Sequence, residues 1–305
     1  MSSFFFRVKR RLAHYYLNIC SFETWQKLGY HVMRKHYYSP VPDTALLGEE
    51  VFSRVSEMPG IKFDSMSQLS WIKEMSEKFR AEYDQWPKKP KNEFDFHISQ
   101  TSFRCVDAHA LYCMVRNLKP RKVIEIGSGY STFITASACL KNKTESPAAN
   151  CHFMAIEPYP NDVIKKGFPG LDEVVSKPVE KVPLEVFTGL NAGDILFIDS
   201  THTVKTGGDV VYEILEILPR LRKGVFIHIH DIFFPYEYPK AWMADQRFWA
   251  EQYMIQAFLA FNPDYEIRWM SHFMHRNHGE ELKELMDYYD SGTPYVSSLW
   301  IEKVK

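Results

Sequence analysis

Two short stretches bring acids and histidines together, Asp199-Ser-Thr-His202 and His228-Ile-His230-Asp231, and each follows an apolar run. The runs are Ile195-Leu-Phe-Ile198 and Val225-Phe-Ile-His-Ile229. If both are buried strands of one parallel sheet, adjacent strands lie about 4.8 Å apart and these polar groups share one mouth. Carboxylate oxygens with imidazole nitrogens suit a divalent metal such as Mg2+. Without a metal, His202 or His230 suits a general base acting on a hydroxyl. A charged group closing a buried strand needs partners, so Asp231 calls for an explanation. The candidate catalytic residues are therefore Asp199, His202, His230 and Asp231, with Asp199, Asp231 and His230 as candidate metal ligands. Plainer roles stay open: Asp199 as a turn or cofactor-orienting acid, His228 as a satisfied core histidine, and Lys205 as a solvated side chain.

A third strand end carries different chemistry. Lys122-Val-Ile-Glu125-Ile runs into Gly127-Ser128-Gly129-Tyr-Ser131-Thr132 and then a helical pattern, the layout of a loop that cradles a nucleotide. Glycines there let a ligand approach the backbone, and Ser131 or Thr132 is placed to cap the helix. A dinucleotide loop wants a third glycine where Thr132 stands. The following strand pattern, His152-Phe-Met-Ala-Ile-Glu157, ends in an acid. Candidate cofactor-binding residues are Glu125, Gly127, Ser128, Gly129, Ser131, Glu157 and Asp199.

The elements that must position these groups alternate from Asp107 onward. Helices are predicted over 107–117, 131–141, 207–221 and 245–261. Strands are predicted over 122–126, 152–157, 173–176, 194–199 and 224–230, which implies a parallel sheet with helices on both faces. Nearly continuous apolar strands fit burial on both sides. Two late β patterns, Tyr265-Glu-Ile-Arg-Trp-Met and Val296-Ser-Ser-Leu-Trp-Ile-Glu, flank the charged segment Ser271 to Gly292. Residues 1–92 show helical spacing without a convincing strand and read as a helical N-terminal extension, with 93–305 as the main domain. Pro87-Lys-Lys-Pro-Lys-Asn92 is the linker candidate. Phe233-Phe-Pro-Tyr-Glu-Tyr-Pro239 and His36-Tyr-Tyr-Ser-Pro-Val-Pro-Asp43 read either as acceptor walls or as packing loops, and Glu251 and Tyr253 as weaker site candidates.

Composition narrows the partners. The chain has 305 residues, 45% hydrophobic, with a formal net charge of −1, which offers no basic footprint for nucleic acid. A small-molecule or sugar-type acceptor is expected instead. Five cysteines without metal-ligand spacing fit reduced thiols in the cytoplasm. No run of about 18 apolar residues predicts a transmembrane segment. At the N-terminus, Arg7, Lys9, Arg10 and Arg11 interrupt the apolar stretch that a secretion signal needs. Its aromatics and basic residues suit a membrane surface, or an amphipathic helix packed on protein. Homo-oligomerisation is left open.

Glu125, the Gly-x-Gly turn and Glu157 together resemble the S-adenosylmethionine site of class I methyltransferases. Val-Ile-Glu-Ile-Gly-Ser-Gly-Tyr-Ser-Thr, Ile-Glu-Pro-Tyr-Pro, Phe-Ile-Asp-Ser-Thr-His-Thr-Val-Lys and His-Ile-His-Asp-Ile-Phe-Phe-Pro-Tyr-Glu-Tyr-Pro look like the bacterial family labelled methyltransferase domain 24. The resemblance implies an α/β, Rossmann-like fold with a mostly parallel sheet and an antiparallel C-terminal edge. It implies S-adenosyl-L-methionine as cofactor and O-methylation as the reaction, with Glu125 near the methionine side and Glu157 on the ribose. Metal-dependent sugar O-methyltransferases are a more distant likeness: they carry an aspartate matching Asp199 but an acidic pair where His230-Asp231 stands here. The competing readings are a nicotinamide-dependent oxidoreductase and a non-catalytic cofactor-binding protein.

Overall fold

The computed structural model describes residues 3–103 and 105–305; Met1, Ser2 and Arg104 lie outside the described residues. The chain divides into two compact units, Met1–Gly48 and Glu49–Lys305. The first contains helices α1 (Ser3–Ile19) and α2 (Phe22–Lys27), the latter capped by the Ser21 hydroxyl accepting from the Thr24 amide. The second contains helices α3 (Glu49–Phe52), α4 (Ser65–Tyr83), α5 (Cys105–Leu118), α6 (Tyr130–Glu145), α7 (Asp162–Lys166), α8 (Leu184–Thr188), α9 (Asp209–Tyr212), α10 (Lys240–Ala244), α11 (Glu251–Leu259), α12 (Ser271–Asn277) and α13 (Gly279–Leu285).

Its strands are β1 (Lys122–Ile126), β2 (His152–Ile156), β3 (Glu173–Val175), β4 (Ile195–Ile198), β5 (Phe226–Ile229), β6 (Tyr265–Met270) and β7 (Leu299–Lys303). They form a seven-stranded sheet in the order β3-β2-β1-β4-β5-β7-β6. The first five are mutually parallel, and β7 inserts antiparallel between β5 and β6. This is the expected mostly parallel, Rossmann-like α/β sheet with an antiparallel edge. The order reverses between β1 and β4, so the strand ends there open the crevice in which such sheets bind ligands.

Alternation along each strand divides the core. Val123, Phe153, Ile195, Phe197 and Trp300 pack with Ile72, Leu111, Val115 and Ile134 on one face. Ile124, Ile156, Leu196, Ile198 and Ile227 pack with Val210, Ile214, Ile255 and Leu259 on the other. Two predicted helices come out differently. The segment read as helix 207–221 starts as α9, passes through a π-helical turn at Glu213–Ile217 and ends in a 3-10 turn at Leu218–Arg220. The Leu218-Pro219 step explains part of this, since proline supplies no amide to the ladder. The segment read as helix 245–261 is helical only over α11, whose first amides are turned to the His202 carbonyl: Ala250 and Glu251 donate to it at 3.0 and 3.2 Å.

Helix α4, within the segment read as an N-terminal extension, packs on α5 and buries Ile72, Met75, Phe79 and Tyr83. A buried arginine ties the helices together. Arg116 of α5 forks onto Glu82 of α4 at 2.7 and 2.9 Å, donates to Glu145 of α6 at 2.6 Å, and also meets Asn142. Its side chain is 1% exposed, so a lost donor leaves the buried Asn142 or the largely buried Glu82 short of a partner, while Glu145 can turn to solvent. Arg116→Lys keeps the charge but not the planar fork, and should cost about 2–3 kcal/mol in urea unfolding. A loss below about 0.5 kcal/mol would show that the fork contributes nothing.

Candidate functional site

The backbone ladder runs one residue beyond three adjacent strands. Gly127 donates to Ile156, Asp199 to Ile126 and His230 to Ile198, each at 2.9 Å. Gly127, Asp199 and His230 therefore stand in a row across the strand ends, with Asp199 in the middle. Gly127 is required there for two reasons. Its φ is +95°, and a Cβ would collide with the Asp199 carbonyl oxygen. Beside it, a Cβ on Gly129 would meet nothing within 4 Å, so the turn borders open space.

The helix after the turn begins at Tyr130, two residues earlier than a Ser131 cap requires. Thr132 closes the turn by accepting from the Gly129 amide at 2.8 Å. Ser131 instead donates to Glu125 Oε1 at 2.5 Å. Glu125 is 1% exposed and its Oε2 has no partner among the described residues. Burial pushes its pKa up to about 8, opposed by the hydroxyls of Ser131 and Thr132. At the end of β2, Glu157 accepts from the Tyr159 amide at 2.8 Å, and its other oxygen lies 3.5 Å from the Ser128 hydroxyl.

The Glu125 shift has a testable consequence. Below about pH 4.5 the carboxyl is protonated folded and unfolded, and the shift costs nothing. Between there and about 8 the unfolded chain ionises while the folded chain keeps its proton, so stability falls as pH rises, by about 1.4 kcal/mol per unit. Glu125→Gln removes that slope. Urea unfolding at pH 5.5 and 7.5 should show the wild type losing about 2–3 kcal/mol relative to the variant. Parallel pH dependences would place the ionised form in the folded protein.

The acids and histidines after β4 and β5 close into a cluster. His202 Nε2 lies 3.2 Å from Asp199 Oδ1 and 3.6 Å from Asp231 Oδ2, and His202 Nδ1 lies 2.8 Å from Glu251 Oε2. Asp199, His202 and Asp231 each offer one ligand atom within 4.8 Å of the others. His202 and Asp231 both have φ of +56°, a left-handed turn that folds each back toward Asp199. Exposure is graded: side chains are 1% exposed for Glu251, 6% for His202, 15% for Asp231 and 34% for Asp199. The cluster therefore opens to solvent through Asp199.

Electrostatics follow from this packing. Burial alone would lower the His202 pKa, but hydrogen bonds to Asp199 and Glu251 carry it well above 6.5. The protein surroundings raise Asp199, yet His230 and then His202 hold it down at about 2. Burial raises Glu251, and His202 opposes this. In the absence of a cation, His202 is thus an imidazolium between carboxylates at neutral pH, and in that form it accepts no proton.

His230 stands outside the ligand-bearing group. Its Nε2 is 3.9 Å from Asp231 Oδ1, its Nδ1 has no partner among the described residues, and its ring lies against Phe103 at 5.0 Å. His202, which the sequence suggests as a base, takes the place expected for His230 among the ligands. His228 is buried as expected but not satisfied: neither nitrogen has a partner among the described residues, and its ring stacks on Phe197 at 4.0 Å. Burial keeps it neutral, its pKa well below 6.5.

Several supporting groups come from far along the chain. Asp231 Oδ1 accepts from the Ser297 hydroxyl at 2.8 Å, and Asp107 on α5 accepts the amides of Ser297 and Ser298 at 3.1 and 2.9 Å. Trp249 covers His202 with ring centres 4.3 Å apart. The buried Glu213, on the π-helical turn, accepts from Ser200 at 3.0 Å. Phe233 and Tyr238, from the proline-flanked loop, are buried with Trp242. Lone serines and aromatics carry no spacing that would mark them; Glu251 alone of this set shows a signal, an acid on the inward face of an apolar helix.

Residues 124–232 match a family model described as a methyltransferase domain. A curated protein of Archaeoglobus fulgidus, described as uncharacterized, is 28% identical over 164 residues, 51% of this chain and 72% of its own. Among solved structures, the O-methyltransferase TomG from Streptomyces achromogenes, in complex with SAM, aligns with a TM-score of 0.41 and 14% identity over 80% of this chain and 92% of its own. An O-methyltransferase from Bacillus cereus in complex with SAH aligns with a TM-score of 0.39 and 13% identity, over 80% and 93%.

Proposed function

We propose that this chain is a class I S-adenosylmethionine-dependent methyltransferase, a reading that the methyltransferase-domain match over residues 124–232 supports, and that it methylates a hydroxyl of a small-molecule or sugar-type acceptor at the mouth of β1, β4 and β5. The observation that carries this reading is the closure of Asp199, His202 and Asp231 directly beside the Gly127 turn. In it, Glu125, Gly127, Ser128, Gly129 and Ser131 hold the methionine side of the cofactor and Glu157 its ribose hydroxyls. The orphaned Glu125 Oε2 and the open space at Gly129 fit such an occupant. S-adenosylmethionine bound there would supply a sulfonium methyl for transfer to the acceptor oxygen, with adenosylhomocysteine leaving and the hydroxyl proton passing to solvent at the exposed Asp199 edge.

The same three residues fit a divalent cation. Two carboxylate oxygens and one imidazole nitrogen converge, and Glu251 holds the Nδ1 proton so that Nε2 is the free nitrogen. A cation held there would supply positive charge to offset the negative charge developing on the acceptor oxygen. Asp199, the most exposed of the three, faces the acceptor side and borders the cofactor turn through its backbone. His230 stands beside Asp199 at the ends of β5 and β4, and its protonated form lowers the Asp199 pKa. Burial lowers the His230 pKa, but Asp231 and Asp199 raise it above 6.5 overall.

Titration calorimetry tests the cofactor half. S-adenosylmethionine and S-adenosylhomocysteine should bind and NAD should not. NAD binding without S-adenosylmethionine binding overturns the reading in favour of a nicotinamide-dependent oxidoreductase.

A further inference from the structure

We propose that helix α1 docks in the plane of an anionic lipid surface. At 100° per residue, Phe5, Val8, Leu12, Tyr15, Tyr16 and Ile19 fall on one stripe of this helix. All six are exposed, by between 40% for Val8 and 64% for Phe5. Arg7, Arg10 and His14 project from the opposite side, and Lys9 and Arg11 flank the stripe at its two borders. A soluble helix normally turns its apolar stripe to a core, so this one presents an apolar face that calls for an occupant.

Charge selects the occupant. Residues 1–42 carry seven lysines and arginines against a single acid, Glu23, although the whole chain has a net charge of −1. The positive charge is thus concentrated on one short segment. A second copy of α1 would bring four basic residues against four with no acid to answer them. An anionic bilayer answers both halves: headgroups take up the arginines and lysine, and the apolar stripe sinks to the acyl boundary. Tyr15 and Tyr16 suit that depth, where amphipathic rings settle. The helix does not span, since no helix among the described residues is long and apolar enough to cross a membrane. Attachment by one short basic helix is reversible and weakened by salt.

Cosedimentation of the full chain with phosphatidylcholine vesicles, with and without phosphatidylglycerol, tests this. Binding is expected only with the anionic lipid, and added salt should release it. Arg10→Glu with Arg11→Glu should weaken binding about tenfold or more. Leu12→Glu should do the same from the apolar side, with S-adenosylmethionine binding unchanged as evidence that the rest of the chain is folded. Equal binding to neutral vesicles, no binding to either, or binding that survives both variants overturns the proposal. So does a concentration-dependent dimer in sedimentation that Leu12→Glu dissolves.

Discussion

Asp231→Asn should bind S-adenosylmethionine as tightly as the wild type while losing divalent-cation binding and turnover by about a thousandfold, the several kcal/mol that a coordinated cation contributes. The substitution isolates charge from shape. Asparagine tolerates the left-handed conformation that Asp231 adopts at φ +56°. Its amide oxygen can still accept from Ser297, which holds Oδ1 at 2.8 Å. Only the atom facing His202 Nε2 changes, from a carboxylate oxygen to an amide nitrogen that repels a cation. Paramagnetic resonance of Mn2+ titrated into both proteins reads the loss without any acceptor, and calorimetry reads cofactor affinity. Turnover follows as adenosylhomocysteine released with sugar and alcohol acceptors. Undiminished Mn2+ binding in the variant, or full turnover in strong chelator, removes the cation from the proposed mechanism.

How much of this arrangement was legible beforehand follows from where each signal lies. The sheet, its two faces and its antiparallel edge are written locally: Val123-Ile-Glu-Ile is buried on both sides and reads as such, and the Gly127 turn announces its own backbone geometry. The row of strand ends was legible because the parallel ladder fixes neighbours in register, which carries Asp199 next to Gly127 and Asp231 close to Asp199. What local pattern does not encode is direction at a left-handed residue. His202 and Asp231 turn inward because φ is positive, whereas His230, one residue earlier and still in the ladder, keeps to the Phe103 side. That difference puts His202, rather than His230, between Asp199 and Asp231. Ser297 and Asp107 were illegible for another reason. They meet Asp231 and one another across 66 and 190 residues of chain, contacts that no periodicity records.

His202→Ala should abolish Mn2+ binding, and Glu251→Gln should weaken it about 10–100-fold, with S-adenosylmethionine affinity constant across the series. The order follows from the two nitrogens of one ring. Nδ1 faces Glu251 at 2.8 Å and is held as the donor, so a cation that displaces the Nε2 proton would meet the Nε2 lone pair between Asp199 and Asp231. Glutamine keeps an acceptor for Nδ1 but removes the negative charge that makes the imidazole a better ligand. Alanine removes the ligand and strands Glu251, a carboxylate already 1% exposed with one oxygen unpartnered. The metal-free alanine variant should therefore also lose about 3–5 kcal/mol in urea unfolding, because His202 at neutral pH is the cation that separates three acids. Should that loss prevent folding, Glu251→Gln carries the test alone. If Glu251→Gln binds Mn2+ as the wild type does, or His202→Ala keeps Mn2+ within about tenfold, His202 is an ion-pair bridge between acids and the imidazole is no ligand.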